Sequence, residues 1–262
     1  AFAEDNYNDV TTVGGRMALK IDLNDTWTVT PTLMGQREVA GGNFSYNPAQ
    51  GDLQISRYRP ESSKDKWYQA SLTVEGKIGN LDLVYAGAYM RRAVDSQSDY
   101  SDYSFFYDTL FGYGAYWVDS LGNPVDPTQY IQAQDRYTKE SHELRLSTPG
   151  DLPVRAVGGI FFQTQTHGIE QRYKIDGIDP AISVTGWPDT IWLTEQFRTD
   201  KDQAIFGEVS WDFAPGWTVN AGLRYFQAEN GLKGFFGYSG GYSGSTGESQ
   251  CFLPTPVTGH GP

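Results

Sequence analysis

The spacing of the joins between alternating segments constrains this chain more than any other feature. Eight segments place apolar and polar side chains at successive positions: residues 15–23, 27–36, 68–75, 81–90, 141–147, 154–163, 205–213 and 217–225. Period two is the signature of a β-strand, because successive Cβ atoms leave opposite faces of the pleat. A helix would need apolar residues three and four apart, and none of the eight shows them. Within each pair of segments the join is short: Asn24-Asp25-Thr26, Ile78-Gly79-Asn80, Pro149-Gly150-Asp151 and Ala214-Pro215-Gly216. These are residues that turn a backbone tightly. Between pairs the joins are long, roughly residues 40–66, 96–135 and 174–200, with a further stretch from 235 onward. Compact water-soluble domains rarely carry several structureless joins longer than about 15 residues. Membrane barrels do, with short turns at one rim and long loops at the other.

Alternation alone does not say where the apolar face points. A soluble β-sandwich alternates too, with its Trp residues in the core. Three observations favour lipid. The segments run 7 to 10 residues, longer than the roughly 5 or 6 usual in soluble strands and close to the roughly 9 to 11 of a tilted membrane strand. Trp27, Trp211, Phe213 and Trp217 lie on the apolar parity beside the short turns, where an interfacial aromatic girdle belongs. Tyr85, Tyr89 and Tyr225 lie toward the other end. The opposite parity carries mixed charge, including Arg16, Lys20, Glu75, Asp82, Glu143, Arg145, Arg155, Glu208, Asp212 and Arg224, which suits a wet lumen. The expected fold is an all-β, transmembrane, antiparallel up-and-down β-barrel, with about eight strands present. Its expected location is the bacterial outer membrane, in contact with lipid.

Composition excludes several alternatives. A net charge of −12 leaves too few cations for a nucleic-acid partner, whose affinity rests on neutralising phosphates. One cysteine, Cys251, permits neither an internal disulfide framework nor a Cys-rich zinc site. No run of about 18 apolar residues exists to make a transmembrane helix. Gly237-Tyr238-Ser239-Gly240-Gly241 formally fits a nucleophile elbow, but it lies in a Gly/Ser-rich stretch with no helix following. His142, His167 and His260 are scattered without ligand spacing. An enzyme is not expected, nor a resident cofactor.

The candidate binding residues cluster in one loop. Between Tyr100 and Trp117 the chain holds Tyr103, Phe105, Phe106, Tyr107, Phe111, Tyr113, Tyr116 and Trp117. Aromatic rings bury large area at small entropic cost, so the cluster is read either as an external vestibule for a ligand that carries an aromatic or sugar ring, or as a loop packed on its neighbours or on a surface partner protein. Arg145, Arg155 and Arg224 share the polar parity and are candidates to meet an anionic ligand, with pairing to nearby carboxylates the favoured role. Asp95, Asp99, Asp102 and Asp108 could offer oxygen ligands to Ca²⁺, yet their spacing matches no loop template, and solvated charge is the favoured reading.

Both ends of the sequence fall on the long-loop side, so the eight strands are expected to be a segment of a larger closed barrel, with other strands and any plug domain lying outside residues 1–262. Specific stretches carry a family resemblance. Glu143-Leu144-Arg145-Leu146-Ser147 followed by Val157-Gly158-Gly159-Ile160-Phe161-Phe162 resembles paired barrel strands of TonB-dependent receptors. Gln203-Ala204-Ile205-Phe206-Gly207-Glu208-Val209 with Trp217-Thr218-Val219-Asn220-Ala221-Gly222-Leu223-Arg224-Tyr225 is similar to the family's next hairpin, and Gly14-Gly15-Arg16-Met17-Ala18-Leu19 with Trp27-Thr28-Val29-Thr30-Pro31 to an earlier one. The likeness covers about half the chain. It implies a 22-stranded barrel, an N-terminal plug, and uptake of a scarce small-molecule nutrient, typically a ferric siderophore and sometimes cobalamin or a glycan. The inner-membrane TonB complex would supply the energy through the plug. Two further classes stay open on the residues themselves: a passive porin or surface-interaction barrel, and a soluble all-β binding module.

Overall fold

A computed structural model describes residues 4–42, 44–108 and 117–238. The chain is one antiparallel meander: β1 (Val10–Ala18), β2 (Ile21–Asp22), β3 (Thr28–Gly41), β4 (Ser62–Ile78), β5 (Leu81–Asp99), β6 (Tyr130–Ser147), β7 (Val154–Lys174), β8 (Thr190–Ala214) and β9 (Trp217–Tyr238). β1 and β2 both pair with β3, each later strand pairs with the next in the chain, and among the described residues β1 and β9 do not pair with each other. All eight expected strands are present, with the four short turns where the sequence places them. The architecture is an up-and-down barrel wall.

The first strand is split into β1 and β2, and Pro31 explains why. The Leu19 amide donates to the Pro31 carbonyl at 3.1 Å, but proline has no N–H to return the bond. The ladder lapses at Leu19-Lys20 and resumes with Ile21 opposite Val29.

Register resolves the two faces residue by residue. One row runs Ile21, Val29, Val74, Tyr85, Leu144, Ile160, Ile205, Tyr225 across the whole sheet. One residue along on each strand, the row Thr28, Glu75, Val84, Arg145, Gly159, Phe206, Arg224 belongs to the other face. The apolar side chains are not gathered in a dry interior. Met17, Leu19, Ile205 and Leu223 are 69, 58, 59 and 81% exposed. A sandwich core would bury them, so the apolar face looks outward.

The sheet is sheared. Trp27 packs over Gly76, and the row continues through Leu83, Leu146, Gly158 and Gly207 to Leu223, six residues beyond the start of β9 at Trp217. Six residues of slip over six strand steps is one per strand. With a rise of about 3.3 Å per residue and strands about 4.8 Å apart, this tilts the strands by roughly 35°, the value closed barrels need. Each residue then climbs about 2.7 Å along the barrel axis.

That climb settles the aromatics. Trp211, Phe213 and Trp217 form a run of ring contacts at the short-turn end, with centroids 5.7 and 6.2 Å apart. Tyr89 and Tyr225 each stand eight residues above the starts of their strands, roughly 20 Å higher, where a second girdle falls. Tyr85 does not join them. It sits four residues above Leu81, half-way up, and its hydroxyl is satisfied by His142 Nδ1 at 2.7 Å, whose Nε2 meets Glu140 at 2.9 Å. A polar atom inside the apolar band needs such a chain of partners.

Two expectations about the joins are corrected. The strands are longer than the alternation suggested, up to 25 residues in β8. The joins shrink accordingly to residues 42–61, 100–129 and 175–189. Above the second girdle both faces are wet, so hydropathy stops alternating while the backbone ladder continues. The second join also contains a helix, α1 (Ser101–Asp108).

Glycine pays its way at Gly159. A Cβ there would stand 2.6 Å from the Phe206 ring and 2.7 Å from the Leu144 carbonyl oxygen, whereas one on neighbouring Gly158 meets only a carbonyl at 3.7 Å. Gly159→Ala is expected to destabilise the folded barrel by about 1–3 kcal/mol through overpacking. Gly158→Ala should stay within about 0.5 kcal/mol. Chemical-denaturation midpoints of the full-length protein in lipid would show equal effects if this packing were wrong.

Candidate functional site: an aromatic mouth above a charged wall

On the polar face, charge and rings succeed each other from the short turns upward. At the bottom, Arg155 grips Asp212 with two bonds of 2.5 and 2.9 Å, and Thr218 donates to the same carboxylate at 2.7 Å. Higher, Arg145 Nε lies 2.6 Å from Glu143. Arg224 spreads over the rings of Phe161 and Phe206, 5.4 and 5.6 Å from their centroids. Higher again, Arg92 binds both oxygens of Asp65, with bonds of 2.5 to 3.0 Å, and faces the Tyr137 ring. Tyr137 stacks on His167 at 3.9 Å, and His167 Nε2 lies 2.6 Å from Asp135.

These side chains are neighbours because of register alone. Trp67, Arg92, Tyr137, His167 and Arg198 lie in one row of the polar face, with Asp65 and Asp135 in the next. Cross-strand neighbours about 5 Å apart can pair directly.

The mouth of this wall is aromatic. Tyr103 packs on Tyr100 at 4.9 Å, Tyr100 meets Tyr173 edge-on at 5.3 Å, and Tyr173 reaches Trp192 at 6.4 Å. Trp192 then contacts Tyr238 at 4.6 Å and Phe236 at 6.0 Å. Tyr173, Trp192, Phe236 and Tyr238 share the parity of Arg92 and His167, so they border the polar face. The belt spans about four strands and offers ring faces and edges to a planar ligand.

A latch holds the three long joins together above it. Arg59, from join 42–61, reaches Thr128 Oγ1 at 2.7 Å in the second join and Asp176 at 2.8 Å in the third, while covering the Tyr130 ring at 5.0 Å. Tyr130 donates its hydroxyl to Asp176 at 2.6 Å. Asp99, the outermost residue of β5, accepts from the Tyr58 and Arg59 amides and from both Ser101 donors. Beneath the latch, Trp117, Ile175, Ile178 and Ile191 form a small dry core with Val125, Tyr173 and Ile182 around it.

The structure sorts the sequence candidates. Trp117 is only 5% exposed and is a core residue of the loop cap, not part of an open vestibule. Its burial could not be read from the sequence, because a loop has no periodicity to reveal it. Tyr103, Phe105 and Phe106 lie on α1. Tyr103 enters the aromatic belt, and Phe105 packs edge-on against Tyr58 at 5.0 Å. The side chain of Tyr107, with Phe111, Tyr113 and Tyr116, lies outside the described residues. Arg145 and Arg155 are committed to carboxylates, and Arg155 stands at the short-turn end, far from the mouth. Arg224 keeps a cationic face among rings. The aspartates do not converge: Asp95 binds Arg136 at 2.6 Å, Asp99 holds backbone amides, and Asp102 approaches Arg57 at 4.0 Å. Among the described residues no group of acidic, His or Cys side chains could hold a metal. Sequence reading missed Tyr100, Tyr173, Trp192 and the Arg59–Asp176 latch. Tyr173 and Trp192 could have been found as aromatics on the polar parity; the latch has no sequence signal.

The latch is electrostatically biased toward its charged form. Partial burial pushes the Asp176 carboxyl upward, but the Tyr130 hydrogen bond and the Arg59 charge outweigh it and hold the group below the usual carboxylate range. Asp99 is likewise lowered, burial being outweighed by bonds from Ser101, Tyr58 and Arg59. Tyr130 is pushed up to about 12 by burial and by its bond to Asp176. Because both carboxylates titrate below their unfolded values, their stabilisation is complete above about pH 4 and disappears as pH falls through the lowered values. Emission from Trp117 is therefore expected to hold steady from pH 7 to 5 and shift red only below about pH 4, with Arg59→Met shifting the transition toward neutrality. A transition near pH 6 in the unaltered protein would contradict this.

No protein-family model matches the sequence, and no curated protein sequence does. The fold is similar to the crystal structure of the ferric yersiniabactin uptake receptor FyuA from Yersinia pestis. The match has a TM-score of 0.66 and 11% sequence identity, over 95% of this chain and 32% of that one. The chain thus spans about a third of that receptor, and at this identity the likeness is one of fold: the wall of a receptor barrel.

Proposed function

We propose that this chain forms part of the wall of a bacterial outer-membrane receptor that takes up a scarce nutrient. The cargo is a ferric siderophore with aromatic groups, and uptake is energised by the TonB complex acting through a plug segment. One observation carries the reading: an unbroken apolar row, half-buried to exposed, crosses the sheet from Ile21 to Tyr225, backed by a charged face whose outer end is a belt of rings. Exposed apolar surface on that scale needs an apolar solvent. The open edges of β1 and β9 then pair with further strands of the same barrel, since unpaired backbone in hydrocarbon costs several kcal/mol per group.

The similarity to a ferric yersiniabactin uptake receptor supports the cargo class. So does the mouth, where Tyr100, Tyr173, Trp192, Phe236 and Tyr238 present stacking surfaces and Lys174 lies beside Tyr130. The ferric complex is cargo here, held by rings and cations and not by protein ligands to iron. The latch fixes the three joins around the mouth, so that little ordering remains to be done on binding.

Two measurements on the full-length protein test this. Leu144→Lys, mid-way up the apolar face, should cost about 2–4 kcal/mol in lipid, while Ser141→Lys on the polar face should cost under about 1 kcal/mol. Equal costs would place the apolar face elsewhere than in lipid. Titration with an aromatic ferric siderophore should quench Trp emission, and Trp192→Ala should weaken binding roughly tenfold, corresponding to about 1.4 kcal/mol. Free sugar influx into liposomes with no saturable ligand binding would mark a passive pore instead.

A further inference from the structure

The apolar face ends upward in a group of cations that the uptake function does not use. Arg37 on β3 stands directly opposite Lys66 on β4, and Arg91 on β5 stands opposite Tyr68, one pair below. All three are exposed and lie on the lipid-facing parity. Lys64 follows above Lys66 on the same face. In a chain of net charge −12 this clustering is unusual. Like charges directly opposite each other across two strands are destabilising, so Arg37 opposite Lys66 costs stability unless an anion lies between them.

The nearby acidic groups are already engaged. Asp65 and Glu38 point to the other face, where Asp65 is held by Arg92 and Glu38 accepts from Thr12 at 3.1 Å. Asp95, opposite Lys64, is bonded to Arg136 at 2.6 Å. Glu140, diagonal to Arg91, is paired with His142 at 2.9 Å. The guanidinium of Arg91 lies against the hydroxyls of Tyr68 and Tyr89, which aims it along the second girdle. Beside Tyr68 the same row holds Gly35 and Gly15, a shelf without side chains where a Cβ on Gly15 would meet nothing within 4 Å.

Height decides what fits. The cluster begins just above Tyr89, at the level where hydrocarbon gives way to headgroups on the long-loop side. We infer that Arg37, Lys66 and Arg91 form a seat for the phosphate of a lipid headgroup in the outer leaflet, with Lys64 at its upper edge and the glycine shelf giving room for the headgroup's bulk. Guanidinium groups bind phosphate oxygens in pairs, and the ammonium adds a point charge between them. The seat rests on the apolar face lying in a membrane.

The test uses the full-length protein refolded in a neutral detergent. Diphosphorylated lipid A is added, its phosphate-free counterpart in a second arm and inorganic phosphate in a third, and bound lipid is counted by native mass spectrometry. The unaltered protein should retain the phosphorylated lipid at least tenfold better than the phosphate-free one, with inorganic phosphate failing to displace it at equal concentration. Arg37→Gln/Lys66→Gln/Arg91→Gln should lose that preference, and Arg37→Lys/Lys66→Arg/Arg91→Lys should keep most of it. Each variant is first shown to keep the heat-shifted gel band of a folded barrel. Equal retention by the Gln variant, equal retention of phosphate-free lipid, or displacement by inorganic phosphate overturns the seat while leaving the barrel reading intact. Loss of the heat-shifted band in the unaltered protein, with no lipid bound, overturns both.

Discussion

Everything in this molecule depends on an antiparallel ladder that slips by one residue at each strand and breaks step only at Leu19-Lys20 and at the irregularities beside Lys174 and Asp212. The ladder fixes which side chains share a face, and the slip fixes how high each stands. Ile160 and Ile205 come to the apolar face, and His167 and Arg92 to the polar one, through backbone hydrogen bonds alone. A one-residue error in any pairing would exchange the two sets, which is why the apolar row is a strong determinant of register.

The two faces solve different solvation problems. On the apolar face the mid-height hydroxyl of Tyr85 is relayed through His142 to Glu140 near the upper edge. The charged face keeps its ions in pairs or over rings. Arg155 with Asp212, Arg145 with Glu143 and Arg92 with Asp65 leave Arg224 as a cation lying across Phe161 and Phe206. Paired charge of this kind stiffens the wall, and half-buried rings packed on one another border its outer end. The latch adds a third element: Arg59 and Asp176 bring loops far apart in sequence into one cap above the aromatic belt.

The sequence by itself determined the strands, the turns and the faces. Period two is a property of adjacent residues, and the short turns carry their own chemistry in Asn24-Asp25, Gly79-Asn80, Pro149-Gly150 and Pro215-Gly216. That Trp211, Phe213 and Trp217 share one face beside a short turn was legible for the same reason. Tertiary structure alone decided the rest. The true length of β8, the burial of Trp117 and the mid-height place of Tyr85 depend on where the tilted sheet leaves the apolar band, which no local window records. The aromatic mouth and the Arg59–Asp176 latch join residues from different strands and loops, up to 117 positions apart. Such contacts are set by the register and shear of the whole sheet, and a chain read one residue at a time carries no trace of them.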